Sequence, residues 1–192
     1  ILIIECCKIE QDSNLIEEKI SHIKDWNKFI ATAYSHGVFP LVYLTLKKYE
    51  DKISSTILNH MKSIYMDIVK YNMFMTSELL NVLKVFKENH IDCIPFKGPV
   101  LTKLAYSDVI SRQYVDLDIL INMKDFKSVV NLLNKLHYNS KLNYDISIEK
   151  IKDVLSDHLF IKKESNINIE IHNKLFSIDF PINIPSTNFF NN

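Results

Sequence analysis

The chain has 192 residues, enough for one globular domain or a core with a modest appendage, with 47% apolar and 24% charged residues. Its 23 basic residues balance 23 acidic ones, which excludes a protein that binds duplexes through overall phosphate neutralisation and leaves only local nucleic-acid contacts. Three cysteines without CxxC spacing exclude a disulfide framework and a zinc site, and no apolar run reaches the roughly 18–20 residues of a membrane span, so a cytoplasmic protein with no membrane contact is expected.

The opening Ile1-Leu2-Ile3-Ile4 is too short for a signal peptide and lacks a basic start. Without an initiator Met, the chain reads as a fragment or a trimmed protein. Apolar residues Ile16, Ile20, Ile23, Phe29 and Ile30 recur at three- and four-residue spacing and predict an amphipathic helical face from Leu15 onward. Asp12, Ser13 and Asn14 offer caps upstream. A break is expected at 35–40, a short helix over 41–48, and one long helix or two in series over 55–89, a stretch with neither Gly nor Pro.

The character changes at Ile91. A β-prone run ends at Lys97-Gly98-Pro99, a helical stretch follows through Leu104, and 114–121 alternates as a strand should. Residues 123–136 predict another helix, and 157–163 and 166–172 two strands joined by a hairpin turn at Glu164-Ser165. The expected class is α+β: a helical N-terminal region (1–90), a mixed sheet flanked by helices (91–180) and a polar tail (181–192) containing Pro181 and Pro185.

The strand at 114–121 carries the strongest chemical signal. Val115, Leu117, Ile119 and Ile121 share one face, and Asp116 and Asp118 the other. Two carboxylates held side by side repel, which raises the pKa of one unless a cation compensates. A divalent ion does so commonly; Mg²⁺ (or Mn²⁺) takes a few carboxylates together with substrate phosphates, and two-metal sites hold ions roughly 3.5–4 Å apart. A solvated strand face would also fit. Asp is depleted in strands, however, and the stretch 97–118 also holds Gly98, one of two glycines, and Arg112, the only arginine.

A strand–Gly–helix junction at Gly98 lets backbone N–H groups approach a phosphate, with Lys97 adding charge, although a simple turn would read the same. Neither a Walker loop nor a dinucleotide fingerprint is present. Arg112 suits bidentate phosphate binding, or a loop ion pair with Asp108.

The block Phe96-Lys97-Gly98-Pro99-Val100-Leu101, then Tyr106-Ser107-Asp108, then Arg112-Gln113-Tyr114-Val115-Asp116-Leu117-Asp118-Ile119-Leu120-Ile121 resembles the uncharacterised nucleotidyltransferase family of the DNA polymerase beta superfamily. The lead-in from Trp26 through Ala33 to His36-Gly37-Val38-Phe39-Pro40-Leu41 is similar too, and the likeness covers about 25–175. The superfamily's usual Gly-Ser or Gly-Gly is here Gly98-Pro99 after Lys97, and the gap to Asp116 is longer than in most of its members; the uncharacterised family shares both departures. The resemblance implies a nucleotidyltransferase-fold sheet and transfer of a nucleotide from an NTP, ATP among them, with release of pyrophosphate.

It also implies a third acid on a later strand. In 167–172, isoleucines 167, 169 and 171 share one face and Glu170 and His172 the other, so Glu170 is assigned as third carboxylate, ligand or base, and His172 as its orienting group or a phosphate contact. An edge strand with a polar outer face gives the same pattern. His158 is read as a structural residue lining the sheet, and His22, His36, His60, His90 and His137 form no metal-ligand spacing.

The expected function is Mg²⁺-dependent nucleotidyl transfer to a hydroxyl of RNA, protein or a small molecule. Toxin–antitoxin enzymes on related folds modify tRNA ends or proteins, so tRNA as acceptor and an antitoxin-type or other protein partner are both expected candidates. The alternatives are a catalytically silent binding or regulatory module on the same fold, and a helical interaction protein with an apolar patch on the 55–89 helix.

Overall fold

The computed structural model describes residues 2–140, 157–174 and 190. The expected tail at 181–192 lies outside them except for residue 190. The chain divides into two compact units: Ile1–Phe74 with Thr102–Tyr114, and Met75–Leu101 with Val115–Asn192.

The first unit opens on α1 (Leu2–Cys6), α2 (Ser13–Ser21), α3 (Trp26–Ser35) and α4 (Phe39–Leu46). The amphipathic face expected from Leu15 to Ile30 is thus two helices. Asp12 accepts from Leu15 N at 3.1 Å to start α2, and Asp25 accepts from Lys28 N at 2.9 Å to start α3. Each Asp satisfies an amide that a helix start leaves without a partner, and at Asp25 that local bond outranks continuous periodicity. The helix expected from 41 begins two residues earlier because Pro40 sits in the first turn of α4, where its missing N–H costs nothing. Ile16, Ile30, Phe39, Val42, Leu46 and Met61 form the centre of this unit's core. Burial pushes the Cys6 thiol up to about 12, so it behaves as an inert apolar group.

Helix α5 (Ser55–Glu88) is a single helix of 34 residues, about 51 Å long at ~1.5 Å per residue. His90, at φ 57°, closes it: His90 N donates to Lys87 O at 3.1 Å and Ile91 N to Phe86 O at 2.9 Å, the two bonds of a Schellman cap with His in the position glycine usually takes. No helix of the described residues is long and apolar enough to cross a membrane.

The second unit holds a five-stranded mixed sheet. Its elements are β1 (Cys93–Phe96), β2 (Asp116–Ile121), α7 (Phe126–Lys135), β3 (Asn139–Ser140), β4 (Asp157–Lys162) and β5 (Ile167–His172); α6 (Gly98–Tyr106) starts in this unit and ends in the first. The order is β1-β2-β5-β4-β3, with β2 and β5 parallel and every other pair antiparallel. Pro95 is tolerated because β1 is an edge strand. The two-residue β3 adds a strand to those expected.

Pairing of β2 with β5 sets Leu117 opposite Ile169 and Ile119 opposite Ile171 on one face, all four with no exposed surface. Phe126, Val129 and Leu133 of α7 are buried, and the Phe126 ring meets His158 of β4 at 4.5 Å between centroids. Each of those strand aliphatics contributes about 2 kcal/mol on burial, and together they anchor the acidic residues of the opposite face. Glu78 of α5 ties in the far side of the sheet: its Oε2 accepts from Tyr138 Oη at 2.8 Å and from Lys162 Nζ at 2.9 Å.

Candidate active site

The register of β2 against β5 places Asp116 opposite Asn168, Asp118 opposite Glu170 and Leu120 opposite His172. Side chains two apart on a strand share a face, so Asp116, Asp118, Glu170 and His172 lie on one surface of the two central strands. One potential ligand atom from each of Asp118, Glu170 and His172 lies within 4.8 Å of the others. Asp116 stands next to this group at the start of β2 and is outside it.

Asp118 is the hub. Its Oδ1 accepts from Lys97 Nζ at 2.7 Å and from His172 Nε2 at 3.0 Å, which puts a proton on that ring nitrogen. Its Oδ2 is buried and, among the described residues, has no hydrogen-bond partner. His172 Nε2 also lies 3.6 Å from Glu170 Oε2. Burial by itself would raise the Asp118 pKa, but the hydrogen bonds from His172 and Lys97 outweigh it and hold the carboxyl below its usual range. Asp116 and Glu170 go the other way. Burial, then the charge of Asp118, raises Asp116; burial, then Asp116 and Asp118, raises Glu170. Opposed shifts in adjacent carboxylates mark a site with more negative charge than its own cations neutralise.

Lys97 and Gly98 enter this site through unusual backbone. Lys97 has φ 52° and Gly98 φ 36°, both left-handed, and a Cβ on Gly98 would lie 3.2 Å from the Asp116 carbonyl oxygen. Glycine is therefore the least strained residue where the start of α6 passes the start of β2. Lys97 O accepts from Leu101 N at 2.8 Å, making Lys97 the residue that opens the helix. Burial works against the charge of Lys97, yet its bond to Asp118 and the fields of Asp118, Glu170 and Asp116 hold its pKa above the ordinary lysine value. Phe96 supports both basic groups: its ring lies edge-on to His172 at 4.9 Å, with Lys97 Nζ 5.2 Å from its centroid. Sequence reasoning gives Phe96 no site role; its one signal is its place directly before Lys97.

Arg112 belongs to the first unit. Asn72 Nδ2 donates to its carbonyl at 2.8 Å and to that of Val109 at 3.2 Å, and Tyr114 Oη donates to the carbonyls of Asn72 and Val109, each at 3.0 Å. The alternative pairing with Asp108 is not formed among the described residues. Asp108 instead accepts from the amides of Ile110 and Ser111, each at 2.8 Å, and from Ser111 Oγ at 2.6 Å. Arg112 Nη1 is buried without a hydrogen bond among the described residues.

His158 lies in register with Ile171, on the face opposite Glu170 and His172. It is packed on Phe126, and burial pushes its pKa down to about 4, so it is a neutral core residue. Burial likewise takes the Cys93 thiol up to about 11.

The carboxylate oxygens suit a hard divalent cation, above all the buried Asp118 Oδ2, which has no donor among the described residues; His172 stands beside them. Residues 22–191 match a family described as uncharacterised nucleotidyltransferase. No curated protein and no solved structure matches the chain. The family match takes in the lead-in helices, the Lys97-Gly98 junction and both central strands, and a mixed sheet that follows a helical N-terminal region in the chain is consistent with a nucleotidyltransferase domain. On the length of that match, the chain is a member of the uncharacterised nucleotidyltransferase family.

Proposed function

We propose that the protein transfers a nucleotide from an NTP to a hydroxyl-bearing acceptor, releasing pyrophosphate, with Mg²⁺ or Mn²⁺ as cofactor. The observation that carries this reading is the Asp118 carboxylate, withdrawn from water, hydrogen-bonded through one oxygen only, and flanked by Asp116 and Glu170. A buried carboxylate oxygen without a donor is costly, and a cation offsets that cost. Asp116, Asp118 and Glu170 would hold the ion, with His172 beside them. Bound there, a divalent cation neutralises phosphate charge and eases loss of the acceptor's proton.

The chain's own groups supply the rest. The turn at Gly98 that opens α6 would bring the first turn of that helix to a phosphate, and Lys97 beside it adds positive charge. Glu170, through the carboxylate oxygen that does not hold the ion, would take the proton of the attacking hydroxyl. The hydroxyl oxygen bonds to the α-phosphorus as the bond to the bridging oxygen breaks, and pyrophosphate leaves with that electron pair. Such a reaction belongs in the cytoplasm, where NTPs are abundant.

A silent binding module is the second reading, favoured by one observation: Lys97 and His172 already share Asp118 Oδ1. Pyrophosphate release separates the two. With Mg²⁺, each of ATP, CTP, GTP and UTP, and tRNA, protein or a polyhydroxylated small molecule as acceptor, the enzyme reading expects release that Asp118→Asn abolishes. No release from any combination, or release untouched by Asp118→Asn, overturns it.

A further inference from the structure

Asp118 and Lys97 form an unequal pair: the carboxylate side chain is 1% exposed and the lysine side chain 54%. Oδ1 of Asp118 already receives two donors, at 2.7 and 3.0 Å. The oxygen open to a cation is Oδ2, buried and without a donor among the described residues, and an ion bound there would stand beside the ammonium group on Oδ1, where like charges repel strongly. One donor must yield. His172 is buried, in edge contact with Phe96, and fixed on a central strand. Lys97 is the group able to leave: a flexible stem with its head half in water, on a backbone whose left-handed turn faces it toward the acidic surface.

We propose that Lys97 is a built-in competitor for the divalent cation at Asp118, the ammonium group and the metal being alternative partners of its carboxylate, so that metal binding releases Lys97 to meet substrate phosphate. This rests on the metal-site reading above. It gives Lys97 two stations and couples metal entry to presentation of the phosphate-binding charge.

The test is Mn²⁺ binding to the full chain, followed by electron paramagnetic resonance, for wild type, Lys97→Met, Lys97→Arg and Asp118→Asn. Removing the competitor is expected to tighten Mn²⁺ binding about fivefold in Lys97→Met, the worth of one partly exposed ion pair. Lys97→Arg, which keeps the charge, stays near wild type, and Asp118→Asn binds weakly. A second measurement is read on the wild type: the ¹⁵N signal of the Lys97 ammonium group, assigned by its loss in Lys97→Gln, is expected to move on addition of Mg²⁺. Binding by Lys97→Met no tighter than wild type, or a Lys97 signal unmoved at saturating Mg²⁺, overturns the exchange and leaves the metal site standing. Failure of wild type and Lys97→Met alike to bind Mn²⁺ overturns both readings.

Discussion

Replacing His158 with leucine should remove a large part of the protein's sensitivity to mild acid. His158 sits in β4 with no exposed surface and its ring against Phe126, so protonating it would bury a charge in an apolar layer. Burial pushes its pKa from 6.5 down to about 4. The unfolded chain therefore takes up a proton near pH 6.5, whereas the folded chain resists until pH falls to about 4. Between those values the unfolded state binds more protons, so stability drops as pH falls through that window and levels off below it. At ~1.36 kcal/mol per tenfold change, the loss between about pH 7 and about pH 4.5 is about 2–3 kcal/mol from this residue alone. Urea unfolding followed by circular dichroism, for wild type and His158→Leu across that range, measures it. Leucine has similar bulk and cannot titrate, so its absolute stability is secondary and the pH slope is the readout. Wild type and variant losing stability in parallel would refute the argument.

Two further substitutions probe the frame of the site. Gly98→Ala places a Cβ 3.2 Å from the Asp116 carbonyl on left-handed backbone, and should cost about 1–2 kcal/mol, lowering the thermal midpoint by roughly 2–8 °C; an unchanged melt would show that the junction is not strained. Glu78→Ala leaves Lys162 and the Tyr138 hydroxyl without their shared acceptor and should cost about 2–3 kcal/mol in urea unfolding, whereas Glu78→Gln, which still offers an oxygen, should cost less. Equal losses for the two would remove the case for that network.

Much of the frame is legible in the sequence because it follows local periods. The alternation of Asp116-Leu117-Asp118-Ile119 assigns faces with no tertiary information, and the Gly- and Pro-free run over 55–89 makes a long helix the simplest reading. The division of 15–30 into α2 and α3 is not legible in the same way: Asp25 is a strong cap, yet the apolar spacing carries straight across it. Helix α1 and strand β3, with five and two residues, are too short to leave a pattern. The nearness of Asp118 to Glu170 depends on parallel pairing of strands that α7, β3 and β4 separate in the chain, which no local rule fixes; the family resemblance points to it. The bond from Lys97 to Asp118 is beyond reach for a different reason: it needs two successive left-handed residues to turn the side chain back toward β2.

The most direct test of the central claim is calorimetric titration of the full chain with ATP, CTP, GTP and UTP, with and without Mg²⁺, in wild type and Asp118→Asn. At least one NTP should bind, only in the presence of Mg²⁺, and the variant should lose that binding while keeping its far-ultraviolet circular dichroism. No NTP binding under any condition, or binding that neither Mg²⁺ nor Asp118→Asn alters, would contradict the account.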